Sequence, residues 1–157
     1  MDVWLVEDDA RLRASLSAGV RRAGPNIILS GVFGRSQEPL EALARGCAPD
    51  AALIDLGLPD GCGVQLIANM LAQRPGLALL ALTVRFDDAA VFGALRAGAV
   101  GYLLKDSSAE TIVRALEEAV AGGSPMSPSI ARRVVRHLQP DTASDARFHL
   151  TQREREV

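Results

Sequence analysis

Two cysteines in 157 residues are too few for a disulfide framework, and Cys47 and Cys62 do not stand at metal-ligand spacing. A reducing, intracellular setting fits that scarcity. No apolar run approaches the ~20 residues of a membrane-spanning helix, and the opening "MDVWLVEDDA" turns acidic by its seventh residue, unlike a secretory leader. We therefore expect a cytoplasmic protein with no membrane partner. Charge of one sign is also missing: 17 Lys and Arg against 19 Asp and Glu leave a net charge of −2. That balance offers no basic patch for nucleic acid, so DNA binding would have to come from residues outside this chain. Nothing in the composition suggests a disordered or fibrous class, since 48% apolar and 23% charged residues describe a soluble globular chain. Its length suffices to bury a core without staples.

What is present is an alternation. Short apolar runs, "VWLV" (3–6), "IILSGVF" (27–33), "AALI" (51–54), "LALLAL" (77–82) and "VGYLL" (100–104), are separated by longer segments of helical period. In "ARLRASLSAGVRRA", Leu12, Leu16 and Val20 recur at i, i+4, i+8, and "EPLEALARG" repeats the pattern with Leu40 and Leu43. Apolar strands alternating with helices predict a parallel sheet covered on both faces. Five such units predict an α/β fold, a flavodoxin-like doubly wound five-stranded parallel sheet of order 2-1-3-4-5; a fragment of a larger Rossmann-type sheet is the alternative.

Capping signals set the helix register. "SSAE", Ser107 to Glu110, reads as a capping box for a helix that stops at Gly122 and Gly123. In "SPSIARRVVRHL", Ser127 would cap and Pro128 would take the first position of a C-terminal linker helix. "QPDTASDARFH" is polar and without period, a linker. In "LTQREREV", Thr151 and Glu154 stand at capping-box spacing and open a helix that stops short at Val157. The expected division is 1–123 for the sheet domain, 124–149 for linker helix and linker, and 150–157 for the start of a truncated second domain.

Chemistry collects at strand ends. Glu7 and Asp8 follow strand one and Asp55 ends strand three. In the 2-1-3-4-5 order these strands are neighbours at the switch point where such sheets bind ligands. Asp8 or Asp9 has a plain reading as a helix cap, and Asp55 has one as a turn former. Three carboxylates meeting there would repel one another, a conflict relieved by raised pKa values or by a hard cation such as Mg2+. Thr83 and Lys105 end strands four and five. A carboxylate nucleophile, a metal site, a hydroxyl and an ammonium are the parts needed to make and hold an acyl phosphate.

Four motifs agree in order and spacing: "VEDD", "LIDLGLPDG", "LTV" and "GYLLKD". On them, the chain from Val3 to about Gly122 resembles the receiver domain of two-component response regulators, with the CheY-like version of the fold, and "LTQREREV" resembles the opening of a LuxR-type helix-turn-helix domain. The whole looks like a NarL-like response regulator. The resemblance implies that Asp55 is the phosphoacceptor. It makes Asp8 a direct Mg2+ ligand and Glu7 one acting largely through water, with the Gly57 carbonyl as a further ligand. Thr83 would bond the phosphoryl group, Lys105 would pair with it, and Tyr102 would be the aromatic switch; Asp9 has no family role and stays a cap. The implied partners are a sensor histidine kinase, a second copy on phosphorylation, and DNA only through the missing C-terminal domain.

Two positions depart from the pattern. Val84 stands where a smaller residue is common and could crowd the approach to the phosphoryl group, and Cys62 stands where many receivers have Asp, flanked by Gly61 and Gly63. Pro59 and Gly61 suit a loop bending away from Asp55. Other readings are a pseudo-receiver signalling by protein contacts, and an aspartyl-nucleophile phosphohydrolase, whose second Asp is here Gly57.

Overall fold

"AALID", residues 51–55, is buried at every position, as a strand in the middle of a parallel sheet must be when helices cover both faces. A computed structural model describes residues 1–60, 62–84 and 87–139 of the chain. Its elements run β1 (Asp2–Val6), α1 (Ala10–Ala23), β2 (Ile28–Phe33), α2 (Gln37–Ala44), β3 (Ala51–Asp55), α3 (Gly63–Gln73), β4 (Ala78–Thr83), α4 (Asp88–Ala97), β5 (Gly101–Leu104), α5 (Ala109–Val120) and α6 (Pro128–Leu138). The strands form one parallel sheet of order β2-β1-β3-β4-β5, the expected doubly wound arrangement.

Strand alternation divides the core between two layers. Val3, Leu5, Leu53, Leu80, Leu82 and Leu103 pack with Leu16 and Val20 of α1 and Ile112 and Leu116 of α5. Trp4, Ile54 and Leu79 alternate with them and are buried too, while α2, α3 and α4 contact one another in series. Each fully buried Leu or Ile contributes about 1.5–3 kcal/mol, so the sheet's C-terminal edge rests on a rigid support.

The caps refine the sequence reading. Asp9 caps α1 by accepting from the Arg11 and Leu12 amides. The cap of α5 is Ser108, one residue later than expected: its Oγ accepts from the Thr111 amide at 3.1 Å and donates to Thr111 Oγ1 at 2.8 Å. With Ser108 at the cap, Thr111 and not Glu110 occupies the third helical position, so a Ser–Thr pair replaces the Ser–Glu box. The N-cap of α3 is Cys62, in extended backbone and without a side-chain cap bond.

Met1–Ser127 is one compact unit, and a second begins at Pro128. The first extends past α5: the Tyr102 amide donates to Pro125 O at 3.1 Å, and Tyr102 pairs with Met126 in an isolated parallel bridge. In the second, α6 begins at Pro128 and carries Arg132, Arg133, Arg136 and His137, with Val135 and Leu138 exposed. Gly61, most of the expected linker and the expected second domain lie outside the described residues. Among the described residues, no helix is long and apolar enough to cross a membrane.

Candidate functional site

Register brings the strand ends together. Val6 pairs with Ile54, so Glu7 and Asp55 come next on adjacent strands; Asp55 pairs with Leu82, and Thr83 with Leu104, directly before Lys105. The Lys105 amide donates to Thr83 O at 2.7 Å, which carries the ladder one residue past β5. Glu7, Asp8 and Asp55 each offer a carboxylate oxygen, and the three lie within 4.8 Å of one another.

Lys105 bridges two of these acids. Its Nζ lies 2.9 Å from Glu7 Oε2 and 2.9 Å from Asp55 Oδ1, with Glu7 wholly buried and Asp55 2% exposed. It also donates to Glu7 Oε1 at 3.2 Å, an oxygen that takes the Asp9 amide as well, at 3.2 Å. The Gly57 amide donates to Asp55 Oδ1 at 2.9 Å. Asp55 is thus a turn former after all, tying down the loop that follows it, and a clustered acid at the same time. Its Oδ2 is buried and has no hydrogen-bond partner among the described residues.

Burial opposes the charges of Glu7, Asp55 and Lys105, and the balance differs by residue. Glu7 is pushed above the usual carboxylate range by burial, assisted by the nearby Asp55 charge, against the pull of Lys105 and the Asp9 amide. For Asp55 burial also pushes upward, but the donors it accepts from, the Gly57 amide and Lys105 among them, outweigh it and hold the pKa low. Burial would lower Lys105, and the two acids beside it raise it instead. The site thus holds Asp55 ionised against an ammonium, and of Glu7 and Asp55 it is Glu7 that takes a proton first.

Tyr102 is fully buried on β5. Burial raises its pKa and the Asp87 charge adds to this, against the pull of the Thr83 side chain. Val84 is 71% exposed, which leaves its side chain pointing to solvent and not packed into the protein.

Three contributors escaped the sequence reading. Arg13 on α1 donates from Nη1 to Glu7 O at 2.9 Å. Asp60 accepts from the Ser36 amide at 2.9 Å, capping α2, whose own Ser36 makes no side-chain cap bond. Gly63, read from sequence only as keeping the turn, is a close-approach position: a Cβ there would strike the Asp55 carbonyl oxygen and lie 2.6 Å from Leu56 Cα.

The oxygen set suits Mg2+, a hard cation that binds carboxylates and retains waters. Three carboxylates against one bridging ammonium leave negative charge uncompensated, and Asp55 Oδ2 has lone pairs that no donor occupies.

The response regulator receiver domain family matches residues 3–117. The DNA-binding transcriptional activator DevR/DosR of Mycobacterium tuberculosis is 36% identical over 124 residues, covering 78% of this chain and 55% of that protein. The nitrate/nitrite response regulator protein NarL of Escherichia coli K12 is 29% identical over 157 residues, covering 99% of this chain and 72% of that protein. A two-component response regulator of the LuxR family from Aurantimonas sp. superposes with a TM-score of 0.78 at 27% identity, covering 87% of this chain and 96% of that one. The chain spans little more than half the length of the first of these relatives.

Proposed function

The chain belongs to the response regulator receiver domain family, and from that premise we propose that Asp55 accepts a phosphoryl group from a sensor histidine kinase and that the chain switches a DNA-binding output domain. The observation that carries this reading is the Glu7, Asp8 and Asp55 cluster, bridged by Lys105 at 2.9 Å, at the C-terminal edge of the sheet.

Asp55 Oδ1 is engaged by the Gly57 amide and Lys105, so Oδ2 is the oxygen with a lone pair to give. It attacks the phosphorus of a phosphohistidine. The O–P bond forms as the N–P bond breaks, and that bond's electron pair stays on the imidazole, whose other ring nitrogen carries a proton, so that it leaves as neutral imidazole. Glu7, Asp8, Asp55 and the Gly57 carbonyl would hold Mg2+, which when bound neutralises phosphoryl oxygens. Lys105 turns from the carboxylates to the new phosphoryl charge. The Thr83 hydroxyl bonds it as well, moving away from Tyr102.

That exchange biases an equilibrium between two arrangements around Tyr102. Support for an output route comes from Pro125 and Met126, which are paired to the Tyr102 backbone and precede α6. In the intact protein we place residues 1–123 as the receiver, 124–149 as the connection, and 150–157 as the start of the helix-turn-helix domain. Phosphorylation there promotes a homodimer. The chain acts as phosphoacceptor and switch.

Incubation with Mg2+ and acetyl phosphate, followed by mass spectrometry, should show one added phosphoryl group on the peptide containing Asp55 and none in Asp55→Asn. Labelling that persists in Asp55→Asn, at another residue, would end the assignment.

A further inference from the structure

Arg13 sits one turn into α1 beside an acid-rich site, yet among the described residues no carboxylate lies within ion-pair distance of it. Its Nη1 points at main-chain oxygens instead, donating to Glu7 O at 2.9 Å and to Asp8 O at 3.5 Å. These carbonyls belong to the turn from β1 into α1, before helical hydrogen bonding takes over at Asp9 O, which accepts from the Arg13 amide at 2.8 Å. The same Nη1 lies against the β2–α2 loop at Gly34, where a Cβ would come within 2.8 Å of it. It therefore fills a notch that a missing side chain leaves open. Asp8 is exposed, so its carboxylate depends on its backbone for direction.

We propose that Arg13 is a positioning residue for the metal site, its guanidinium locking the turn so that the Glu7 and Asp8 carboxylates point at one cation with Asp55. This rests on the reading of the cluster as a Mg2+ site. Mg2+ demands near-ideal octahedral geometry, and loss of a partner that orients its ligands typically costs about 10–100-fold in affinity. Arg13 and Gly34 form one device, so disturbing either half should weaken the site. Gly34→Ala displaces the guanidinium while keeping its charge, which separates placement from electrostatic attraction.

The test titrates Mg2+ alone into the chain Met1–Val157 by isothermal titration calorimetry, with far-UV circular dichroism confirming folding. Arg13→Met should raise the Mg2+ Kd by about tenfold or more, Arg13→Lys should recover part of the loss, and Gly34→Ala should weaken binding with Arg13 intact. If Arg13→Met fails to fold, the other two variants carry the test. Wild-type affinity in Arg13→Met and Gly34→Ala overturns the proposal, as does weakening in Arg13→Met alone. A wild-type chain that binds no Mg2+ brings down the metal site and this inference together, an outcome distinguishable from failure of the Arg13 role alone.

Discussion

Replacing Lys105 by Met keeps an apolar stem of similar reach and removes the ammonium 2.9 Å from both Glu7 and Asp55. At that separation and an effective dielectric near 20, each contact is worth about 6 kcal/mol of Coulomb attraction. Desolvation cancels much of it, because the Lys105 side chain is only 13% exposed. Removing one partner of a buried pair costs about 3–5 kcal/mol. Protonation limits the loss: each unit by which a carboxyl pKa rises costs about 1.4 kcal/mol, and Glu7, already raised by burial, takes the proton first.

The sign with pH follows. Raising Glu7 further adds a penalty that is absent below its ordinary value of 4.5 and grows until pH passes its folded pKa. Asp55, held low in the wild type, contributes stability above its ordinary value of 3.8, and Lys105→Met forfeits part of that. We expect Lys105→Met to lose about 3 kcal/mol at pH 7.5, lowering Tm by about 6–12 °C, with a smaller gap at pH 4.5, where the Glu7 penalty fades and the Asp55 share remains. Mg2+ should narrow the gap at pH 7.5, since a bound cation stabilises the folded state by mass action. Urea unfolding at the two pH values is the assay. Equal destabilisation at both, or less than about 1 kcal/mol at pH 7.5, would refute the idea that Lys105 compensates buried anions.

Cys62→Ser should supply the side-chain cap that α3 lacks and add about 1 kcal/mol, read as a higher urea midpoint; no rise would mean that the first-turn amides are satisfied otherwise. Asp60 is lowered by the Ser36 amide that it accepts, so its contribution is present above its ordinary value of 3.8 and disappears as pH falls through the lowered one. The stability difference between wild type and Asp60→Ala should therefore shrink on acidification, and a difference constant from pH 6 to pH 3 would exclude the cap. Gly63→Ala forces a methyl into the backbone at Asp55 and Leu56 and should cost more than about 3 kcal/mol, measured by thermal unfolding; a neutral effect would show that the loop yields.

The clustered residues were legible because strand alternation fixes which positions end a strand, and parallel order fixes which ends are neighbours. Glu7, Asp8, Asp55 and Lys105 meet as that reasoning predicts. The cap of α5 was misplaced by one residue, since Ser107 and Ser108 are both good caps and only backbone dihedrals choose between them. Val84 departs from the family pattern in the sequence, but its outward direction could be seen only in the fold.

Local chemistry accounts for the rest of what the sequence determined: five apolar runs that form the strands, largely buried except at the edge strand β2, helices between them, and acids placed where strands stop. Tertiary structure decided which hydrogen bonds those acids receive. Arg13 reaches the carbonyls of Glu7 and Asp8 because Gly34 leaves room, and Asp60 accepts from Ser36, the cap residue of α2, 24 positions earlier. Such contacts depend on the separation of groups distant in the chain, which residue type and period do not encode. The same limit applies to the charge balance, since Asp55 is held low and Glu7 raised by how deeply each is buried and which donors reach it.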